Sequence, residues 1–150
     1  MNALSIAAAL CRRFEGCRLK PYLCPAGVPT IGYGATYYED GRKVSLKDPP
    51  ITEEYAETLL LWHLETVYLP IVMRLCPNID DEDILAAIID FTFNLGGGNL
   101  KNSTLRKKIL AEDWVGAIDQ LMRWVRAGGK VLRGLQLRRE AETELIWKAL

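Results

Sequence analysis

An α+β fold, in which a small antiparallel sheet unit and a larger helical unit are joined by a long helix, is the class this sequence predicts. Three observations carry it. Residues 3 to about 14 place Leu4, Ala7, Ala8, Cys11 and Phe14 at helical spacing, with Arg12 and Arg13 off that face. Residues 18 to 46 then change character, because Pro21, Pro25, Gly27, Pro29, Gly32 and Gly34 are costly inside a helix. From Thr52 onward, apolar stripes of helical period recur between short connections, which is the pattern of a compact helical body.

Taken in order, the first helix delivers Glu15 and stops at Gly16, a residue type that commonly terminates helices. Short runs at Pro21–Cys24, Thr30–Tyr33 and Thr36–Tyr38 read as strands, with a turn at Pro25–Val28. Asp40-Gly41 is a hairpin signal, and Lys43–Ser45 returns as a further strand. Such a sheet is too small to stand alone and must pack on helices. Thr52 caps a long helix whose first turn holds Glu53 and Glu54, and Pro70 is expected to break or kink it.

Asp80 to Asp83 mark the start of a mostly buried helix with the stripe Ile84, Leu85, Ile88, Phe91 and Leu95, ending at Gly96-Gly97-Gly98. Ser103 or Asn102 caps a helix over Thr104–Leu110, and Asp113 caps one with apolar positions as far as Val125, closed by Gly128-Gly129. A last helix is expected from about Leu135 to Lys148. The whole chain, 1–150, is expected to be one catalytic domain. Its sheet unit spans about 15–50, and its helical unit about 70–150 together with the first helix.

Composition narrows the function. Apolar and charged fractions are those of a soluble globular protein. The formal net charge is zero, but residues 1–100 carry 8 basic and 13 acidic side chains, whereas residues 101–150 carry 11 and 6. A basic C-terminal part suits an acidic polymer, although most of its charges read as solvated helix faces. No stretch approaches the roughly 20 apolar residues of a membrane span, and residues 3–10 are too short and too closely followed by charge for a secretory signal. The expected starting point is therefore a cytoplasm. Its four cysteines, Cys11, Cys17, Cys24 and Cys76, are expected to be free thiols there, and their spacings match no zinc pattern.

The chemistry concentrates in Phe14–Thr36. Glu15, at the buried end of a helix beside a sheet, is a candidate general acid. Nine positions later stands Cys24, which reads in three ways: an inert core thiol, a nucleophile that needs a base, or a group that holds water or stabilises a cation opposite Glu15. Glycosidases use two carboxylates for that work, so a thiol in the second place is a departure. Six positions further, the Thr30 hydroxyl suits orienting a water as well as simply filling a strand. A Cys–His peptidase is disfavoured because the only histidine, His63, lies mid-helix, and Gly96–Gly98 lacks the Gly-Lys-Ser/Thr ending of a phosphate loop.

Glu15, Cys24 and Thr30 at this spacing, followed by Ile31-Gly32-Tyr33-Gly34, resemble the active-site pattern of phage-type lysozymes, the endolysins of glycoside hydrolase family 24. Phe91-Thr92-Phe93-Asn94-Leu95-Gly96, Ser103-Thr104-Leu105, Arg123-Trp124-Val125 and Arg138-Arg139-Glu140-Ala141-Glu142 extend the resemblance through the chain. It implies a lysozyme-like cleft for bacterial peptidoglycan and hydrolysis of the β-1,4 bond between N-acetylmuramic acid and N-acetylglucosamine, for host cell lysis. By the same resemblance Glu15 is the acid, Cys24 takes the place of the usual aspartate, and Thr30 is the third catalytic residue. Gly34, Phe93 and Asn94 would line the cleft, with Arg138 or Arg139 near the acid. Ala35 stands where many relatives have histidine. The resemblance implies no cofactor and no metal, a monomer, no nucleic-acid partner, and a holin that permeabilises the host membrane to release the protein from the cytoplasm to the wall. Two rival readings keep the cleft: a non-hydrolytic lytic transglycosylase, and a catalytically silent peptidoglycan-binding module.

Overall fold

The computed structural model describes residues 2–150. The first helix, α1 (Ala3–Phe14), begins where the Asn2 side chain accepts the Ser5 N–H, and it buries Ala3, Ala7, Ala8, Leu10 and Cys11. It ends just before Gly16, as expected, although Gly16 is not left-handed. Glu15 itself turns extended (φ −94°, ψ 135°) while its N–H closes on the Cys11 carbonyl at 2.7 Å. The last helical hydrogen bond therefore holds the backbone of the candidate acid.

Strands β1 (Arg18–Leu23) and β2 (Pro29–Gly32) pair antiparallel, with Tyr22 opposite Thr30 and an irregularity between Arg18 and Tyr22. Pro21 is tolerated because a two-stranded sheet is all edge. The expected turn at residues 25–28 is present and is closed by bonds between Cys24 and Val28 and between Gly27 and Cys24. After Ile31 the chain folds straight back: Ile31 and Ala35 exchange both backbone bonds at 2.9 Å. Gly32 (φ 65°) and Gly34 (φ 88°) take the left-handed conformations this tight loop requires. Tyr33 is thus a turn residue rather than a strand residue. The further strands expected at Thr36–Tyr38 and Lys43–Ser45 reduce to a single bridge, Tyr37 to Lys43, around the Asp40-Gly41 turn. Ile31, Tyr38, Val44 and Leu59 form a small core of their own.

The long helix does not break at Pro70. Helix α2 (Glu53–His63), capped by Thr52, runs into one turn of π-helix (Leu64–Tyr68) and continues as α3 (Leu69–Leu75). Proline lacks an N–H and its ring crowds the preceding turn. The wider turn, in which the Leu69 N–H reaches back to the Leu64 carbonyl, re-phases the ladder just before Pro70. The result is a rod about 35 Å long between the sheet and the helical body.

Helix α4 (Glu82–Leu95), capped by Asp81, is buried almost all round and is the centre of the main core. Packed near it are α5 (Gly97–Lys101), α6 (Thr104–Leu110), α7 (Trp114–Leu121) and α8 (Arg133–Ala149). Ser103, not Asn102, caps α6. Gly96–Gly98, expected as a terminator, ends α4 with one left-handed residue and then starts α5. Helix α7 stops at Leu121, short of Val125. The residues after it form a ribbon, β3 (Arg126–Ala127) with β4 (Lys130–Val131), turning on two left-handed glycines, Gly128 and Gly129. Two successive positive φ angles match the twist of a tight hairpin.

Candidate active site

Four of the residues singled out in the sequence come together on one cavity. Glu15, Gly34, Phe93 and Asn94 line a space of about 210 Å³ between the sheet turn, α2 and the end of α4. Glu15 arrives from the end of α1, Gly34 from the Ile31–Ala35 loop, and Phe93 and Asn94 from the last turn of α4. A Cβ placed on Gly34 would stand 4.0 Å from Glu15 Oε1, so this oxygen faces the loop and the cavity.

The other carboxyl oxygen is held from behind. Arg138 Nη1 donates to Glu15 Oε2 at 2.5 Å, and the guanidinium's remaining nitrogens bind Asp90, Nε to Oδ2 at 2.9 Å and Nη2 to Oδ1 at 2.8 Å. Arg138 and Asp90 are 3% and 0% exposed, so this is a water-excluded pair, whereas the Glu15 side chain keeps 28% of its surface. Burial raises the Cys11 thiol far above its ordinary value, and the neutral Sγ–H donates to Asp90. The two neighbouring arginines therefore divide their work. Arg138 meets the candidate acid. Arg139, also fully buried, donates through Nη2 to Asn94 Oδ1 at 2.8 Å and so fixes a side chain of the cavity wall.

Cys24 and Thr30 do not line this cavity. They sit together at the far end of the β1–β2 hairpin, Cys24 partly exposed and Thr30 buried. The Thr30 hydroxyl has one proton and two neighbours that accept it, the Val28 carbonyl at 2.8 Å and the Cys24 sulfur. The Val28 N–H above all, then that of Ala26 and the Thr30 hydroxyl, hold the Cys24 thiol below its ordinary value against a smaller effect of burial. A partly exposed thiol surrounded by donors is in a setting that favours thiolate.

Several cavity residues went unmarked in the sequence. Tyr33, Tyr37, His63 and Tyr68 line it, with Tyr68 edge-on to Phe93 at 5.1 Å and Tyr37 edge-on to His63 at 4.6 Å. His63 is buried, and its Nε2 lies 3.1 Å from the Tyr37 carbonyl, which can only accept, so Nε2 carries the hydrogen. Burial lowers the His63 pKa below the usual value and so favours the neutral ring. It lines the same cavity as Ala35, where the resemblance leads one to expect a histidine. Asp90 was also missed, although an aspartate inside Ile-Ile-Asp-Phe-Thr-Phe of a wholly buried helix is itself a signal that a cationic partner must exist. Among the described residues, no group of three or more His, Cys, Asp or Glu side chains is placed to hold a metal ion.

A carboxyl fixed through one oxygen and open through the other faces a cleft between a small sheet unit and a helical body, and the comparisons make this chain a lysozyme-type enzyme. Residues 12–142 match the family described as phage lysozyme, and the chain belongs to that family. A SAR-endolysin of Bacteriophage PS34 is 40% identical over 134 residues, which cover 89% of this chain and 77% of the relative. An endolysin of Acyrthosiphon pisum secondary endosymbiont phage 1 is 37% identical over 148 residues, 93% of this chain and 94% of the relative. Among solved structures, an endolysin from Escherichia coli O157:H7 phage FAHEc1 superposes with a TM-score of 0.85 at 28% identity, covering 100% of this chain and 96% of that one.

Proposed function

We propose that the protein is an endolysin that hydrolyses the β-1,4 bond between N-acetylmuramic acid and N-acetylglucosamine of bacterial peptidoglycan. The observation that carries this reading is the Glu15 carboxyl, whose Oε2 is held by Arg138 while Oε1 faces the cavity beside Gly34. In this reading Glu15 Oε1 delivers its proton to the glycosidic oxygen as the bond to the anomeric carbon breaks. Positive charge then builds on the muramic ring, and a water adds there and gives up its proton, which returns to the Glu15 carboxylate directly or through solvent.

Although neither lines the Glu15 cavity, Cys24, with its lowered thiol pKa, takes in this reading the part that a second carboxylate plays elsewhere, and Thr30 orients the water beside it. Gly34 leaves room for a sugar ring next to Oε1. Phe93 and Asn94 form the opposite wall, where aromatic and amide groups suit a sugar face and its acetamido groups. The domain assignment is part of the same proposal: residues 1–150 act as one catalytic domain with the cleft between its two units.

Digestion of purified peptidoglycan followed by mass spectrometry of the released muropeptides tests the reaction. Hydrolysis gives reducing muramic ends. Anhydro-muramic ends would make it a transglycosylase, and retention on the wall with no released fragments would make it a binding module. The proposal carries with it a protein that waits in the host cytoplasm and needs a separate holin. Cells expressing it should lyse when their membrane is permeabilised and stay turbid otherwise.

A further inference from the structure

Behind Glu15 the helical body gathers five ionisable side chains in one connected cluster. Glu15 comes from the end of α1, Asp90 from α4, and Arg138, Arg139 and Glu142 from α8. The other titratable neighbour, Cys11 of α1, is a neutral thiol there. Three carboxyls against two guanidiniums leave one negative charge without a partner if every group is ionised.

Two of the carboxyls meet each other. Asp90 and Glu142 are both 0% exposed and stand within hydrogen-bonding reach, yet two carboxylates have no hydrogen to offer one another. Both Asp90 oxygens are occupied by Arg138. Glu142 Oε2 accepts from Arg139 Nη2 at 2.9 Å. Glu142 Oε1 has no aligned donor. Arg139 Nε lies 2.7 Å away, but neither of these two atoms has a hydrogen-bond partner of acceptable geometry. A second buried carboxylate at this point costs more than keeping a proton. Burial first, and then the Asp90 contact, push the Glu142 carboxyl well up, whereas Arg138 holds Asp90 down in spite of its burial.

We infer that Glu142 is a positioning residue for the acid site: its Oε1 carries one proton, shared with Asp90, and this proton keeps the cluster neutral so that Arg138 stays extended to Glu15. Without it, a dianion on the α4–α8 side would draw the guanidinium away from Glu15. The positioning role rests on Glu15 being the working acid. The shared proton does not.

The test is Glu142→Gln, a neutral side chain of the same shape. A carboxyl whose pKa is raised on folding contributes stability that is complete below its unfolded value and is lost as pH rises towards its folded value. Glutamine has no such loss. The unfolding constant of wild type relative to Glu142→Gln should therefore climb with pH from about 4.3, by up to tenfold per pH unit. A ratio independent of pH overturns the inference.

Infrared spectra in D2O at neutral pH give a second readout. The difference between wild type and Glu142→Gln should contain a protonated carboxylic-acid band, which Asp90→Asn should also lose because the proton belongs to the pair. Absence of that band from the wild type overturns it. On purified peptidoglycan, Glu142→Gln should match the wild-type rate at neutral pH and, having no proton to lose, should hold that rate at the alkaline pH where wild type falls. A folded Glu142→Gln that is inactive at neutral pH, or that falls with wild type at alkaline pH, contradicts the positioning role. If Glu15 proves not to be the acid, the stability and infrared readouts still decide where the proton is.

Discussion

Arg138 and Asp90 form a two-point ion pair, 2.9 and 2.8 Å, between α8 and α4, and the guanidinium nitrogen left over is the one that holds Glu15. The pair links the core helix of the body to the end of α1. Removing one member of a buried pair leaves the other charge uncompensated, at a cost of about 3–5 kcal/mol. Arg138→Met keeps most of the volume and should lower the stability by that amount in urea unfolding. A loss below about 1 kcal/mol would mean that Asp90 finds another partner or a proton.

Cys24 gives a prediction in pH. Its thiol is held below its ordinary value by the donors of the 24–28 turn, foremost the Val28 N–H, so thiolate grows in at a lower pH than for a free cysteine. An aspartate in its place is ionised throughout the same range. The activity of Cys24→Asp relative to wild type should be largest at acid pH and fall as pH rises through the Cys24 pKa. Cys24→Ser should be at least tenfold slower at every pH. A fully active serine variant would show that charge at this position is dispensable.

His63 is neutral, buried and bonded through Nε2 to the Tyr37 carbonyl, and burial depresses its pKa. A histidine with a depressed folded pKa contributes stability that is present above its unfolded value, about 6.5, and is lost as pH falls towards the folded value. His63→Gln retains an N–H for the carbonyl and has nothing to titrate. Thermal melts from pH 7.5 to 5 should show wild type losing stability relative to this variant on the acid side. Parallel curves would place the ring in water rather than in the cavity wall.

How much of this was legible in the sequence follows from the range of the forces involved. Caps are local, and Thr52, Asp81, Ser103 and Asp113 all accept from the first turn of the helix they precede. The end of α1 at Glu15 was legible for the same reason, although the extended Glu15 backbone, not Gly16, ends it. The π turn before Pro70 was not legible, because the sequence shows the missing N–H but not whether neighbouring packing will hold the rod together. The sheet was over-read: β-branched and aromatic residues in 36–45 suit strands, but single bridges and side-chain bonds such as Tyr38 to Asp48 hold them instead.

At the site, the cavity wall of Gly34, Phe93 and Asn94 was anticipated and the arginines were not separable. Their choice depends on helix phase: Arg138 points from α8 to α1 and α4, and one position later Arg139 points to Asn94 and Glu142. Partners 48 and 123 residues apart in the chain leave no spacing to read. Asp90 alone carried a warning, as a charge inside an otherwise apolar helix.

In the proposed function the Glu15 carboxyl, open through Oε1, is the acid that breaks the glycan strand. Glu15→Gln leaves an amide that still accepts from Arg138 but has no acidic proton to deliver. The measurement is clearing of a purified peptidoglycan suspension by this variant, after circular dichroism and thermal melting have shown it folded. No clearing above the rate without protein is expected. Clearing at the wild-type rate would contradict that role and move the acid elsewhere in the cleft.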